Sequence, residues 1–157
     1  MIFASLGTMD MPFLRMAKAV DQFASMCNEE VIVQTGYTDY PYQYAEAFNF
    51  CTKDEMHKYI FNASILILQG GWGAISEAME LKKPIVVIPR HDKTEHIHDQ
   101  FQLIRKLDAL GCVIGVFDEN LLYNAVNRAR KFEFKQLEHG NAEVYITSAL
   151  NEWFGNR

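Results

Sequence analysis

Short, unbroken apolar runs alternate along the chain with longer stretches whose apolar positions recur every three or four residues. The unbroken runs are IFA near the start, VIV at 31–33, ILIL at 65–68, IVVI at 85–88 and CVIGVF at 112–117. Runs without polar alternation predict strands buried on both faces. AEAFNF at 45–50 predicts one more short strand. Between them, Phe13, Met16, Ala17, Val20 and Phe23 share one face of a predicted helix with Pro12 in its first turn. Thr52 and Glu55 stand at capping-box spacing ahead of another. Further helices are predicted over 73–83, over 99–111 with Gly111 as the stop, from a cap at Asp118 to 132, and after a cap at Asn141.

Strand and helix alternate, with no internal repeat and no linker. This pattern predicts an α/β fold, a Rossmann-like doubly wound parallel sheet, in a single domain over 1–157. Such sheets bind ligands beyond the carboxyl ends of their strands. The candidate loops therefore follow Leu6, Val33, Phe50, Leu68 and Ile88.

Composition narrows the function. Hydrophobic residues make up 49% of the 157, enough for a buried core. The net charge is -5 with basic residues scattered, which argues against nucleic acid as the partner. Three cysteines, Cys27, Cys51 and Cys112, show no CxxC spacing and read as free thiols in a reducing compartment. No segment reads as a secretory signal or a membrane span, so lipid contact would come through a surface or a partner.

Candidate chemistry concentrates in four places. The first is QGGWG at 69–73, between a buried run and a helix. Glycines there let a phosphate approach the backbone, and the helix end offers free N–H groups. A tight turn with no ligand explains the same residues. The run matches neither the dinucleotide nor the P-loop fingerprint. Glu77, about one turn on, suits the two hydroxyls of a ribose, or merely complements the helix dipole. Ser76 is a phosphate contact or an ordinary helix residue. The second place is Gly7 and Thr8, at the end of the first run, which fit another phosphate-side loop or a plain turn.

The third is RHDKTEHIHDQ at 90–100, whose carboxylates, amides and imidazoles suit sugar hydroxyls or simply solvent. His96 and His98 lack a matching ligand cluster elsewhere, and His57 and His139 are isolated, so no metal is expected. The fourth is the run of Tyr37, Tyr40, Tyr42 and Tyr44 around Pro41, an interface or a self-packed surface. Cys51 precedes a helix start, where a thiol pKa can fall; otherwise it is a small apolar residue.

Together, GT at 7–8, PF at 12–13, AVD at 19–21, VIVQTG, EMHKYIFNASILILQGGWGAISEAMELKKPIVVIPR, EH at 95–96 and DQ at 99–100 resemble the carboxyl-terminal, donor-binding half of GT-B glycosyltransferases of family 28. The likeness is nearest to stand-alone small subunits of split enzymes. These are the catalytic subunit of the dolichol-linked N-acetylglucosaminyltransferase and bacterial exopolysaccharide glycosyltransferase subunits. It runs from about 2 to 128, is most specific over 55–100, and is weak in the last thirty residues, within the predicted helices of 118–157.

The resemblance implies half of a GT-B fold and a UDP-sugar donor as substrate, with no cofactor and no metal. Gly70, Gly71 and Gly73 would form the turn facing the donor, with Ser76 near it and Glu77 on the ribose. The backbone around Phe50 and Cys51 would read the uracil. Gly7 and Thr8 would face the diphosphate, and Glu95, His96, Asp99 and Gln100 the donor sugar. Relatives usually carry histidine or serine at Gln69, a small residue at Trp72, and an aspartate and a histidine at His98 and Gln100.

A complete GT-B enzyme is about twice this length. The expectation is therefore a cytoplasmic half-enzyme, peripheral at the inner face of the membrane. A membrane-anchored acceptor-binding subunit would present a lipid-linked sugar acceptor. The catalytic base would be His96 or a group from the partner. A non-catalytic UDP-sugar-binding module and an epimerase-like nucleotide-sugar enzyme are the alternatives.

Overall fold

A computed structural model describes residues 1–90, 95 and 99–137. Its strands are β1 (Ile2–Ser5), β2 (Val31–Gln34), β3 (Glu46–Phe48), β4 (Ile65–Gln69), β5 (Ile85–Ile88) and β6 (Ile114–Gly115). Its helices are α1 (Leu14–Ala24), α2 (Lys53–Asn62), α3 (Trp72–Glu80), α4 (Phe101–Ala109) and α5 (Leu122–Ala129). Among the described residues the strands form one sheet in the order β3-β2-β1-β4-β5-β6, and every pair is parallel. This is the α/β, doubly wound arrangement that the apolar runs predict.

The unbroken runs are explained by what covers them. In β1, Ile2 and Ala4 face one core with α1 and α5, while Phe3 faces a second core with α2, α3 and α4. In β4, Ile65 and Ile67 take the first face, and Leu66 and Leu68 the second. Each such side chain, fully buried, contributes roughly 1.5–3 kcal/mol. That outweighs the net ~1 kcal/mol of a typical hydrogen bond, so burial on both faces fixes the strands.

The helices follow their own signals. Met16, Ala17, Val20 and Phe23 of α1 are buried against the sheet. Pro12 lies ahead of the helix, which starts only after Phe13. The predicted capping box on α2 is present in both directions, Thr52 to Glu55 and back.

Two elements differ from the expectation. CVIGVF keeps only Ile114–Gly115 as strand. Among the described residues it lies at the sheet edge beside β5, and the Gly115 N–H is drawn off to Asp108. The helix expected from Asp118 to 132 is broken into a 3-10 turn, Glu119–Leu121, and α5, because Asp118 accepts from Asn120 and tightens the first turn. The cap expected at Asn141 and the helix after it lie outside the described residues.

Strand order decides where a ligand fits. The chain runs outward from β1 to β3 on one side, then returns to place β4 on the other side of β1. The carboxyl ends of β1 and β4 therefore flank the topological switch point, the usual crevice of an open parallel sheet.

Candidate functional site at the carboxyl edge of the sheet

The turn after β4 is crowded from inside the protein. A Cβ at Gly71 would stand 2.1 Å from Gln69 Nε2, and one at Gly70 would stand 2.4 Å from Gln100 Oε1. Gln100 Nε2 donates to Gln69 Oε1 at 3.1 Å, and Gln100 Oε1 accepts from the Arg90 N–H at 3.0 Å. Two interlocked amides thus tie the end of β4 to the segment after β5. In sequence a ligand and a tight turn explain Gly70 and Gly71 equally; in the fold, atoms of Gln69 and Gln100 occupy the space that side chains at these two positions would take. Gly7, at φ +86°, lies over the same Gln69 amide. Gln69 thereby sits against two glycine backbones, Gly7 and Gly71, and against the Gln100 amide.

Gly73 differs: among the described residues, nothing outside its own helix backbone lies within 4 Å of its Cβ position. It sits in the first turn of α3, where N–H groups have no partner within the helix. The N-cap, Gly71, supplies no side chain to them. α2, by contrast, is closed by its own capping box. Of these two helix starts, the one at the switch point has no side-chain cap among the described residues, and it carries the positive end of the helix dipole. Trp72 is half exposed there, and Thr8 is exposed on the neighbouring loop. The Ser76 hydroxyl donates to Gly73 O at 3.0 Å.

Glu77 has a partner that no local sequence pattern announced. His57 Nδ1 on α2 lies 2.9 Å from Glu77 Oε1 on α3. In sequence His57 is isolated, and only the packing of α2 against α3 brings the pair together.

The segment after β5 is held by two arginines that sequence reasoning passed over. Arg90 is 1% exposed. Its guanidinium donates to Leu6 O, Met11 O and Glu95 O, and stacks on Phe13. It locks the loop after β1 to the loop after β5. Burial lowers its pKa, with Glu95 opposing that shift and Arg15 adding to it. Arg15 forms a two-pronged contact with Glu95, Nε to Oε1 at 2.8 Å and NH2 to Oε2 at 3.0 Å, and also reaches Glu119 and Pro89 O.

The residues expected on the donor sugar therefore divide. Glu95 and Gln100 are buried and their polar ends are engaged within the protein. Asp99 is exposed and accepts from the Phe101 N–H. His96 lies outside the described residues.

At the ends of β2 and β3, Phe50 is exposed and meets Tyr37 edge-on, with ring centroids 5.0 Å apart. Both border a cavity of about 430 Å3 that also takes in Thr35, Tyr40 and Asn49. Asp21 of α1 anchors this tyrosine loop, its buried carboxylate accepting from the N–H groups of Gln43, Tyr44 and Ala45. Burial, with the Glu55 carboxylate added, raises the Cys51 pKa. This corrects the option of a lowered thiol pKa ahead of α2. Among the described residues no three His, Cys, Asp or Glu side chains are grouped to hold a metal, and no helix is long and apolar enough to cross a membrane.

The family model for the glycosyltransferase family 28 C-terminal domain matches residues 11–149. No curated protein matches the chain by sequence. Among solved structures, the glycotransferase of kitacinnamycin superposes with a TM-score of 0.65 at 19% identity, covering 96% of this chain and 38% of the other. MurG of Acinetobacter baumannii gives 0.57 at 13%, covering 96% and 49%. Glycosyltransferase VinC, solved in complex with dTDP, gives 0.58 at 13%, covering 82% and 33%. The chain thus spans less than half the length of these three structures and shares their fold.

Proposed function

This chain belongs to the glycosyltransferase family 28 C-terminal domain family, and on that premise we propose that it is the donor-binding half of an inverting GT-B glycosyltransferase. In this reading it binds a UDP-sugar and transfers the sugar to a polyprenyl-diphosphate-linked acceptor. A membrane-associated subunit presents that acceptor at the cytoplasmic face. The observation that carries the reading is the uncapped start of α3 at the switch point, with Glu77 further along the same helix. An anionic diphosphate suits the open amides, and a ribose suits the carboxylate.

The chemistry follows from that placement. An acceptor hydroxyl oxygen attacks the anomeric carbon from the face opposite the diphosphate. The bond from that carbon to the diphosphate oxygen breaks, UDP departs with the electron pair, and the hydroxyl proton passes to a base. The α3 amides and the Gly7–Thr8 backbone stand where negative charge grows on the leaving group, and fixed dipoles of this kind lower the barrier. The base is His96 or a group of the partner. Gln69, Gln100 and Arg90 hold the loops that face the donor, and Asp99 is exposed toward solvent beside them.

Calorimetric titration with UDP, UDP-glucose, UDP-N-acetylglucosamine, UDP-galactose and UDP-glucuronate tests the reading. UDP binds, one sugar nucleotide binds more tightly than the rest, and Glu77→Ala with its fold intact binds UDP at least about tenfold more weakly. A chain that binds no UDP overturns the proposal. Binding that never leads to transfer, even with the acceptor subunit present, identifies a non-catalytic binding module instead.

A further inference from the structure

The contact between His57 and Glu77 joins two helices that reach different parts of the proposed donor. α2 follows directly on Phe50 and Cys51, and its start is fixed by the Thr52–Glu55 box. α3 follows on the glycine turn. The pair, Nδ1 to Oε1 at 2.9 Å, bonds the two helices to each other. In the tautomer with its hydrogen on Nδ1, His57 donates to the carboxylate.

Stability does not account for the pair. The side chains are 53% and 34% exposed, and exposed pairs contribute little to folding. The pair does restrict where the Glu77 carboxylate points. A glutamate free to turn must lose its rotamer freedom at the moment a ligand binds, which weakens binding. One already held by a neighbour loses less. A carboxylate offers about four acceptor directions; His57 takes one, and a vicinal diol needs two.

We propose that His57 is a positioning residue of the nucleotide site, holding Glu77 in the orientation that accepts both ribose hydroxyls and so setting a preference for ribonucleotide over deoxyribonucleotide donors. The inference rests on the reading of Glu77 given above. His57 acts through Glu77, so its influence extends only to ligands that carry the hydroxyls.

The test is calorimetry with UDP and with its dideoxyribose analogue, on the wild-type chain, His57→Ala, His57→Asn, Glu77→Ala and the Glu77→Ala/His57→Ala double variant. Thermal unfolding checks the fold of each. His57→Ala binds UDP about three- to tenfold more weakly and binds the dideoxy analogue as the wild type does. His57→Asn, whose amide donates from near the Nδ1 position, restores UDP binding. In the Glu77→Ala background, loss of His57 has no further effect, because coupled residues are not additive. If His57→Ala binds UDP unchanged, or weakens both ligands equally, the inference is wrong while the ribose role of Glu77 stands. If the wild type binds no UDP, the reading of the site and this inference fall together.

Discussion

Gly70 and Gly73 lie three residues apart and are glycine for different reasons. At Gly70 an added methyl meets the Gln100 side chain at 2.4–2.9 Å; at Gly73, among the described residues, it meets nothing outside its own helix backbone within 4 Å. Gly73→Ala is therefore expected to stabilise the fold by about 0.5–1 kcal/mol, the helical advantage of alanine over glycine. It is also expected to weaken UDP binding, because the added methyl occupies space beside the open amides. Gly70→Ala displaces Gln100, breaks its bonds to Arg90 and Gln69, and lowers stability by about 1–3 kcal/mol. Urea unfolding and UDP calorimetry on the two variants read both effects. A Gly73→Ala variant that loses stability and keeps full affinity contradicts this account. The sequence marked the glycines as a place of close approach. It did not distinguish approach by a ligand from approach by Gln69 and Gln100, since nothing local shows that residue 100 lies against residue 70.

At the level of elements, the two helix starts beside the site are built oppositely. α2 satisfies its first amides with Thr52 and Glu55, and α3 has no side-chain cap among the described residues. Thr52→Ala removes the cap acceptor and is expected to cost about 0.5–2 kcal/mol. This reads out as a lower urea midpoint at unchanged slope; an unchanged midpoint would show that the box contributes nothing to the folded state. This box was legible in four residues because capping is local. Strand positions were legible too, since a run buried on both faces has no polar alternation. The ends of β6 and the break at Leu121 were not: an edge pairing and an Asp118 turn set them, and neither leaves a periodic trace.

For the whole molecule, a small polar cluster away from the site joins the loop ahead of β2 to the start of β1, the residue before β4 and the end of α5. Glu29 takes the Ser64 hydroxyl at 2.7 Å, the Met1 ammonium and Arg130. The Ser64 hydrogen bond foremost, with Arg130 and the ammonium, lowers its pKa from the ordinary 4.5 to about 2 against the opposing effect of burial. A depressed carboxylate pKa stabilises the fold above its unfolded value, and that contribution is lost as pH falls from about 4.5 toward 2. The stability difference between wild type and Glu29→Gln is expected to be constant above about pH 5.5 and to shrink between pH 4.5 and 3, by less than the full shift because solvent screens the cluster. Urea unfolding across that range measures it, and a difference independent of pH rules this account out.

The sequence by itself determined the α/β class, the alternating elements, the loops that face the carboxyl edge, and the resemblance to the family 28 C-terminal domain, which the family match at 11–149 bears out. These are matters of period, capping and turn chemistry, each carried by residues a few positions apart. Only the tertiary structure decided the interlocked Gln69 and Gln100 amides, the Arg90 clasp between the loops after β1 and β5, and the meeting of His57 with Glu77. Each joins residues between 20 and 84 positions apart. Such contacts follow from strand order and helix packing, which side-chain periodicity along one chain does not encode.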